Sequence, residues 1–353
     1  MRVTIVGAGA VGGTLGAHMA RDGHDVLFVD TAHDHVDTIA SGGLAIEGKD
    51  EFRVMVPATT PRGLAKVLGG RDPEIVMLAV KAQDTQEALE VVVPFLGPDS
   101  YVVSMQNGLN ERVIAARIGA GRTVGAFVNF GADYLAPGRI MYGGGGALYL
   151  GELDGRLTPR VGRLGQVLRQ AFLANTTVTS NIWGYLWGKM GYASMLFATA
   201  VVDETMANVL ADPANEALLA GLAGEVARVA DAEGIRCEAF DGYDPDAMRL
   251  TSPRNWSAIH RSLAALAAFN RGSLKQKSGI WRDLAVRHRR TEVDFQLGAV
   301  IEVGRGHGLR LLLTERLVDL IHDLEAGRRR MSPANLDELR ELTAEIYPDE
   351  STM

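Results

Sequence analysis

The N-terminal run RVTIVGAGAVGG constrains this chain more than any other stretch. An apolar strand ends at Gly7, and the sequence reopens with helical spacing from Ala10. Each glycine in GAGAVG has a physical task. Gly7 permits a tight turn, Gly9 lets a large anion approach the backbone, and Gly12 lets the helix close on the strand. The first helical turn leaves its N–H groups without intrahelical acceptors and places the positive end of the helix dipole beside them. That geometry suits the pyrophosphate of a dinucleotide. Gly7, Gly9, Ala10, Val11 and Gly12 are therefore the candidate cofactor-binding residues. Asp30 closes the second strand, 18 positions after Gly12 (30 − 12). A carboxylate there accepts hydrogen bonds from both ribose hydroxyls and repels a 2′-phosphate. It favours NAD over NADP, the plainer alternative being an exposed strand-end acid.

The α/β pattern continues. DVLFVD, EIVMLAVK and YVVSMQNG read as further strands, with the helical TQEALEVVVPFL between the last two, and RTVGAFVNFGA and ALYLGE extend the pattern. Short unbroken apolar runs alternating with helices predict a parallel sheet covered on both faces. Residues 1–178 are expected to form a Rossmann-type doubly wound α/β domain. After NTTVTSN the strand patterns stop. NEALLAGLAGEVARVADAEG and TEVDFQLGAVIEVGRGHG have helical spacing and end at glycine, and Thr314 is placed to cap a further helix. Residues 179–335 are expected to be all-α, with the join near Thr179–Asn181. Residues 336–353 read as an acidic tail that frays.

The helical half opens with IWGYLWGKMGYASMLFATAVV, Ile182 to Val202, an apolar segment that contains Lys189. Its length approaches that of a membrane span. The interior charge argues against one, and a buried helix is the expected form. The single cysteine, Cys237, cannot form an internal disulfide or a cysteine metal cluster, which agrees with a reducing, cytoplasmic location. A net charge of −7 argues against a nucleic-acid partner. The histidines have no metal-ligand spacing, and no metal is expected; His33 and His35 flank Asp34 in a polar loop and read as mostly solvent-facing. The short basic runs RHRR and GRRRM read as solvated helix faces.

In an open α/β sheet ligands bind outside the C-terminal strand ends. Lys81 in VKAQDT and Asn107 in MQNGLN follow two such ends. Asn107 is placed to bind a nicotinamide ribose or a substrate oxygen, or simply to make a turn. A lysine in a partly dry cleft can supply both charge and a proton to an oxygen that becomes negative during hydride transfer. Lys189 is the candidate, with Glu292 in RRTEVD as its carboxylate partner. A snorkelling lysine and a first-turn helix acid are the plainer readings.

IVGAGAVGG, VKAQDT, QNGLNE, WGKM and RRTEVD occur in the order seen in the ketopantoate reductase family, which the chain resembles over nearly its whole length. The resemblance implies a Rossmann domain joined to an all-helical domain, and reduction of a 2-oxo acid by NAD(P)H in the cleft between them. It makes Lys189 the catalytic acid and Asn107 the residue orienting substrate and cofactor. Glu292 becomes the carboxylate near substrate or lysine, and Lys81 a lysine near the adenosine part. A homodimer through the helical half is a general expectation for such oligomers.

The departures bear on substrate. The family pattern carries asparagines one and two turns after the lysine; here those positions are Ala193 and Phe197. Apolar groups discriminate poorly for a hydroxyl, so a substrate less polar than ketopantoate is expected, with both residues as candidate substrate contacts. The family's serine has its nearest counterpart in Ser278, 14 positions before Glu292 (292 − 278), in a segment that also offers Lys277, Trp281 and Arg282 for a carboxylate. Asp30 points to NAD while Lys81 leaves NADP open. The alternatives are a dehydrogenase of a bulkier 2-hydroxy acid or secondary alcohol, and a dinucleotide-sensing protein without catalysis.

Overall fold

The computed structural model describes residues 1–348. The chain divides into two compact units, Met1–Ile182 and Trp183 onward.

The first unit is built on one sheet of ten strands: β1 Arg2–Val6, β2 Asp25–Val29, β3 Leu44–Gly48, β4 Phe52–Val54, β5 Ala58–Thr59, β6 Ile75–Leu78, β7 Tyr101–Ser104, β8 Thr123–Ala136, β9 Arg139–Glu152 and β10 Thr176–Val178. Their order is β4-β3-β9-β8-β7-β6-β1-β2-β5, with β10 beside β9. From β5 to β8 every neighbouring pair is parallel. The helices of this unit are α1 Ala10–Arg21, α2 His33–Gly42, α3 Leu64–Leu68, α4 Thr85–Val92, α5 Glu111–Ile118 and α6 Pro159–Ala171. Successive strand residues alternate between the two faces, and both faces are covered. Val3, Ile5, Met77 and Val103 enter one core, whereas Val6, Val76, Leu78 and Val102 enter the other. This explains why these strands read as unbroken apolar runs.

The sheet is mixed rather than wholly parallel. β8 and β9, 14 residues each, form a long antiparallel hairpin, and β3 pairs antiparallel with β4. The chain leaves β1 towards β2 on one side and towards β6 on the other. That reversal is the topological switch point at which such sheets bind ligands.

The second unit is helical, as read from the sequence: α7 Ile182–Thr199, whose first residue belongs to the preceding unit, α8 Met206–Ala211, α9 Glu216–Ala232, α10 Trp256–Gly272, α11 Gly279–Ala285, α12 Ala299–Gly306, α13 Leu312–Glu325 and α14 Pro333–Ile346. No helix among the described residues is long and apolar enough to cross a membrane. The thiol of Cys237 is buried and pushed up to about 12 by desolvation, which removes it as a nucleophile at neutral pH.

Three expectations change. The tail expected to fray from residue 336 is largely α14, and only residues 349–353 lie outside the described region. Ser332 caps the helix, Pro333 begins it, Leu339 is fully buried, and Asn335 Nδ2 donates to the Val201 carbonyl at 2.8 Å. Apolar anchoring at Leu336 and Leu339 outweighs the acidic composition. The basic runs lie in loops, and several of their charges are paired. Arg287 and Arg289 meet Asp283 at 3.1 and 2.9 Å, and Arg329 meets Glu338 at 2.7 Å.

Thr314, finally, does not cap α13. The helix starts at Leu312 without a side-chain cap from its own N-terminus. Glu225 on α9 performs that task from 88 positions away, accepting from the N–H groups of Leu313 and Thr314 at 3.1 and 2.7 Å. The Tyr347 hydroxyl donates to the same carboxylate at 2.9 Å. Replacing Glu225 by alanine strands these buried donors and should lower unfolding free energy by about 3 kcal/mol, read from the denaturant midpoint. Burial raises the Glu225 carboxyl above the ordinary carboxylate value. The folded chain then holds this proton more tightly than the unfolded chain. Its stabilising contribution is full at low pH and declines as pH rises from the ordinary value through the raised one. Across that window, the stability of the unsubstituted chain should fall relative to Glu225→Gln.

Candidate active site

At the switch point the glycine turn has the geometry that its sequence demands. Gly7 has φ +96°, and a Cβ there would stand 2.7 Å from the Val80 nitrogen. A Cβ on Gly12 would collide with the Gly7 carbonyl oxygen and reach 2.8 Å from Ala79 Cβ. A Cβ on Gly9 would meet nothing within 4 Å. Two glycines are thus required by close packing, and the third keeps one side of the turn open. Gly9 is the N-cap of α1, provides no side-chain cap, and no acidic residue stands in the first turn. The first-turn amides at Ala10 and Val11 therefore have neither an intrahelical acceptor nor a competing anionic side chain. A dinucleotide pyrophosphate fits this turn.

Asp30 is fixed on both oxygens. Its Oδ2 accepts from the Ala8 N–H at 2.7 Å, and its Oδ1 accepts from the Ala32 N–H at 2.9 Å. A carboxylate retains further lone pairs after two such bonds, so it can still receive ribose hydroxyls.

Lys81 follows β6 at the start of a 3₁₀ turn, Ala82–Asp84, and is partly buried. Asn107 is exposed after β7, and Gly108 has φ +103°. The sequence reading missed what holds these two loops together. Gln106 is buried, and its Nε2 donates to the Val80 carbonyl at 3.0 Å and to Thr85 Oγ1 at 2.8 Å. Thr85 donates onward to the Ala82 carbonyl at 2.8 Å, and Asn110 Nδ2 donates to the Asn107 carbonyl at 2.8 Å. The loops carrying Lys81 and Asn107 are thus tied through Gln106. A glutamine two positions after a wholly buried strand was the available signal. Nothing local marked Thr85 or Asn110.

In the second unit, Lys189 is the sole charged residue of α7 and is partly buried. Gly188 and Gly191 beside it allow close packing: a Cβ at 188 would stand 2.7 Å from the Glu238 carbonyl oxygen, and one at 191 would collide with the Tyr243 hydroxyl. Ala193, one turn on, is 8% exposed. Phe197 is fully buried. Both residues expected as substrate contacts thus belong to the buried face of α7, Phe197 more deeply than Ala193. Ser278 is also buried, and its hydroxyl accepts from the Trp281 N–H at 3.1 Å as the N-cap of α11. Lys277 lies 4.0 Å over the Trp281 ring and pairs with Asp203, which also accepts from Trp281 Nε1 at 3.1 Å. Lys277 therefore already has an internal carboxylate partner.

Glu292 is partly buried just before a π-helical turn, Asp294–Gly298, that continues into α12. Its carbonyl accepts from Phe295 and Gln296 at 3.1 and 2.9 Å. The preceding Thr291 donates both its N–H and its hydroxyl to Glu325 Oε1, each at 2.7 Å. The residue before Glu292 is thus clamped to the end of α13. Single π turns inside helices concentrate at functional sites, and the regular helical spacing of TEVDFQLG gave no sign of one. Among the described residues no group of three His, Cys, Asp or Glu side chains is arranged to hold a metal ion.

The family model Ketopantoate reductase PanE/ApbA matches residues 3–155, and its companion, Ketopantoate reductase PanE/ApbA C terminal, matches residues 181–325. The chain belongs to the ketopantoate reductase family. The 2-dehydropantoate 2-reductase of Archaeoglobus fulgidus is 30% identical to it over 328 residues, 92% of this chain and 98% of that protein. Among solved structures, D-mandelate dehydrogenase with NADH and anilino(oxo)acetate superposes with TM-score 0.78 at 21% identity, covering 93% of this chain and 99% of that one. The PanE/ApbA family ketopantoate reductase from Ralstonia eutropha JMP134 gives 0.74 at 24%, with coverage of 93% and 99%. Membership of the ketopantoate reductase family accounts for both units: the sheet with its glycine turn, and the helical unit that contains Lys189 and Glu292.

Proposed function

We propose that this chain is an NAD-preferring oxidoreductase interconverting 2-oxo acids and 2-hydroxy acids, of the 2-dehydropantoate 2-reductase kind. The observation that carries the reading is Lys189, one cation partly buried in an otherwise apolar helix, in a chain whose glycine turn fits a pyrophosphate. Gly7, Gly9, Ala10, Val11 and Gly12 hold the pyrophosphate, Asp30 takes the adenosine ribose hydroxyls, and Lys81 stands by the adenosine end. When bound, the nicotinamide dinucleotide supplies or accepts the hydride. Lys189 gives its Nζ proton to the substrate oxygen during reduction and takes it back during oxidation. Its positive charge stabilises the oxygen as negative charge develops there. Glu292 keeps the ammonium oriented, and Asn107 donates from its amide to orient the substrate.

A second reading narrows the substrate to 2-oxo acids with side chains more apolar than that of ketopantoate. It is favoured by Ala193 and the buried Phe197, which leave no amide at these two positions of α7 to recognise a hydroxyl. The D-mandelate dehydrogenase structures contain NADH, and one of them anilino(oxo)acetate, an aromatic amide whose carbonyl adjoins a carboxylate as in an aryl 2-oxo acid. That chemical class belongs in the assay.

The test is a matrix of NADH and NADPH against ketopantoate and aliphatic and aryl 2-oxo acids, followed by dinucleotide absorbance. NADH should be preferred by at least about 10-fold in kcat/KM, from the Asp30 charge. Apolar 2-oxo acids should exceed ketopantoate by about 10-fold or more. A strong ketopantoate preference would remove the second reading. Tight dinucleotide binding with no turnover of any 2-oxo or 2-hydroxy acid would leave a non-catalytic dinucleotide sensor.

A further inference from the structure

His35 was expected in solvent, yet its side chain is buried, and the residue is only 1% exposed. The Gly138 N–H donates to His35 Nδ1 at 2.9 Å. Nδ1 is therefore the acceptor, and the ring proton lies on Nε2. That Nε2–H points to the Ala8 carbonyl, 2.9 Å away, which can only accept. The edge of the ring also meets Tyr134, with centroids 5.0 Å apart and planes at 70°.

Ala8 is the residue between Gly7 and Gly9, and it is fully buried. Its N–H is taken by Asp30 and its C=O by His35. Asp30 is in turn held by Ala32, at the start of the same helix that carries His35. The result is a closed ring of hydrogen bonds through the glycine turn, the strand-end acid and α2. The turn could not achieve this rigidity by itself, because glycine restrains its backbone least of all residues. Fixing the Ala8 peptide groups beforehand sets the direction of the amides that follow at Ala10 and Val11. A site ordered before binding loses less entropy when the ligand arrives.

We propose that His35 is a positioning residue for dinucleotide binding: by holding the Ala8 carbonyl it fixes the phosphate-facing turn and the ribose acid as one preformed cradle. This rests on the dinucleotide reading above. The Gly138 bond extends the cradle to the β8–β9 turn, where Gly138 has φ +68° and a Cβ would collide with Thr38.

Two conservative substitutions separate the cradle from mere packing. His35→Gln can place an amide N–H near the Nε2 position and keep the donor to Ala8, while losing the acceptor for Gly138. His35→Asn can keep an acceptor near the Nδ1 position, while losing the donor to Ala8. Each loses one buried hydrogen bond, so their melting temperatures should fall alike. NADH affinity, titrated on the full chain by protein fluorescence or calorimetry, should part them. The dissociation constant should rise about 10-fold or more in His35→Asn and stay within about threefold in His35→Gln, the range of one buried hydrogen bond. Equal losses in both, or unchanged binding in His35→Asn, would overturn the proposal while leaving the cofactor reading intact. If the unsubstituted chain binds no NADH, the cofactor reading fails first and this inference goes with it.

Discussion

Replacing Lys189 by alanine should lower kcat for 2-oxo acid reduction at least 10²-fold, with NADH affinity changed by less than about threefold. A positioned acid contributes about 10²–10⁴-fold to such a proton transfer. In the proposed role the same group also supplies positive charge to the oxygen, so the lower bound is conservative. The loss should fall in kcat and kcat/KM together, because the interaction matures as charge builds on oxygen rather than on binding. NADH affinity serves as the control, since the residues assigned to its pyrophosphate and ribose lie in the other unit. Loss of fold is a poor alternative explanation. Lys189 is only partly buried, and the close packing of its helix runs through Gly188 and Gly191. Lys189→Met, which keeps most of the stem volume and removes the charge, should be as inactive as the alanine variant. Turnover near that of the unsubstituted chain in either variant would end the proposed role.

What could be read beforehand, and what could not, follows the range of the interactions. The strands β1, β2, β6 and β7 were legible because burial on both faces writes an unbroken apolar run. The glycine turn was legible because its pattern is written within six residues, although part of what enforces it, Ala79 and Val80 after β6, lies about 70 positions away. Thr314 misled because a threonine before an apolar helix looks like a local cap; the cap is Glu225, 88 positions earlier in the chain. His35 misled for the same reason, since its partners stand 27 and 103 positions away. The acidic composition after residue 335 hid two apolar anchors, Leu336 and Leu339. Ser278 was legible only as the counterpart of the family's serine; its oxygen accepting from the Trp281 N–H as the N-cap of α11 was not. Phe197 could be placed on the lysine's face of α7 by counting, but its depth could not. Two residues four or eight positions apart share a helix face without sharing exposure.

Gly9 and Gly12 should fail in opposite ways when each is replaced by alanine, and the contrast tests the nucleotide turn more sharply than either alone. A methyl at Gly12 would be driven into the Gly7 carbonyl oxygen and against Ala79 Cβ, 2.8 Å away. Backbone and a packed side chain cannot both yield, so Gly12→Ala should lose about 3 kcal/mol of stability or fail to fold solubly, at the upper end of the cost of overpacking. A methyl at Gly9 meets nothing within 4 Å, and Gly9 has φ −69°, which any residue adopts. Gly9→Ala should therefore melt within about 2 °C of the unsubstituted chain, as a surface change away from packing does. Its open side is nonetheless the side that a pyrophosphate must approach. Pushing that anion outward weakens its bonds to the amides of the turn, each charge-assisted and worth about 1.5–3 kcal/mol. Losing the equivalent of one or two such bonds should raise the NADH dissociation constant by about 10²-fold. A Gly9→Ala protein that is folded and binds NADH as tightly as before would show that the open face of the turn is not where the dinucleotide sits.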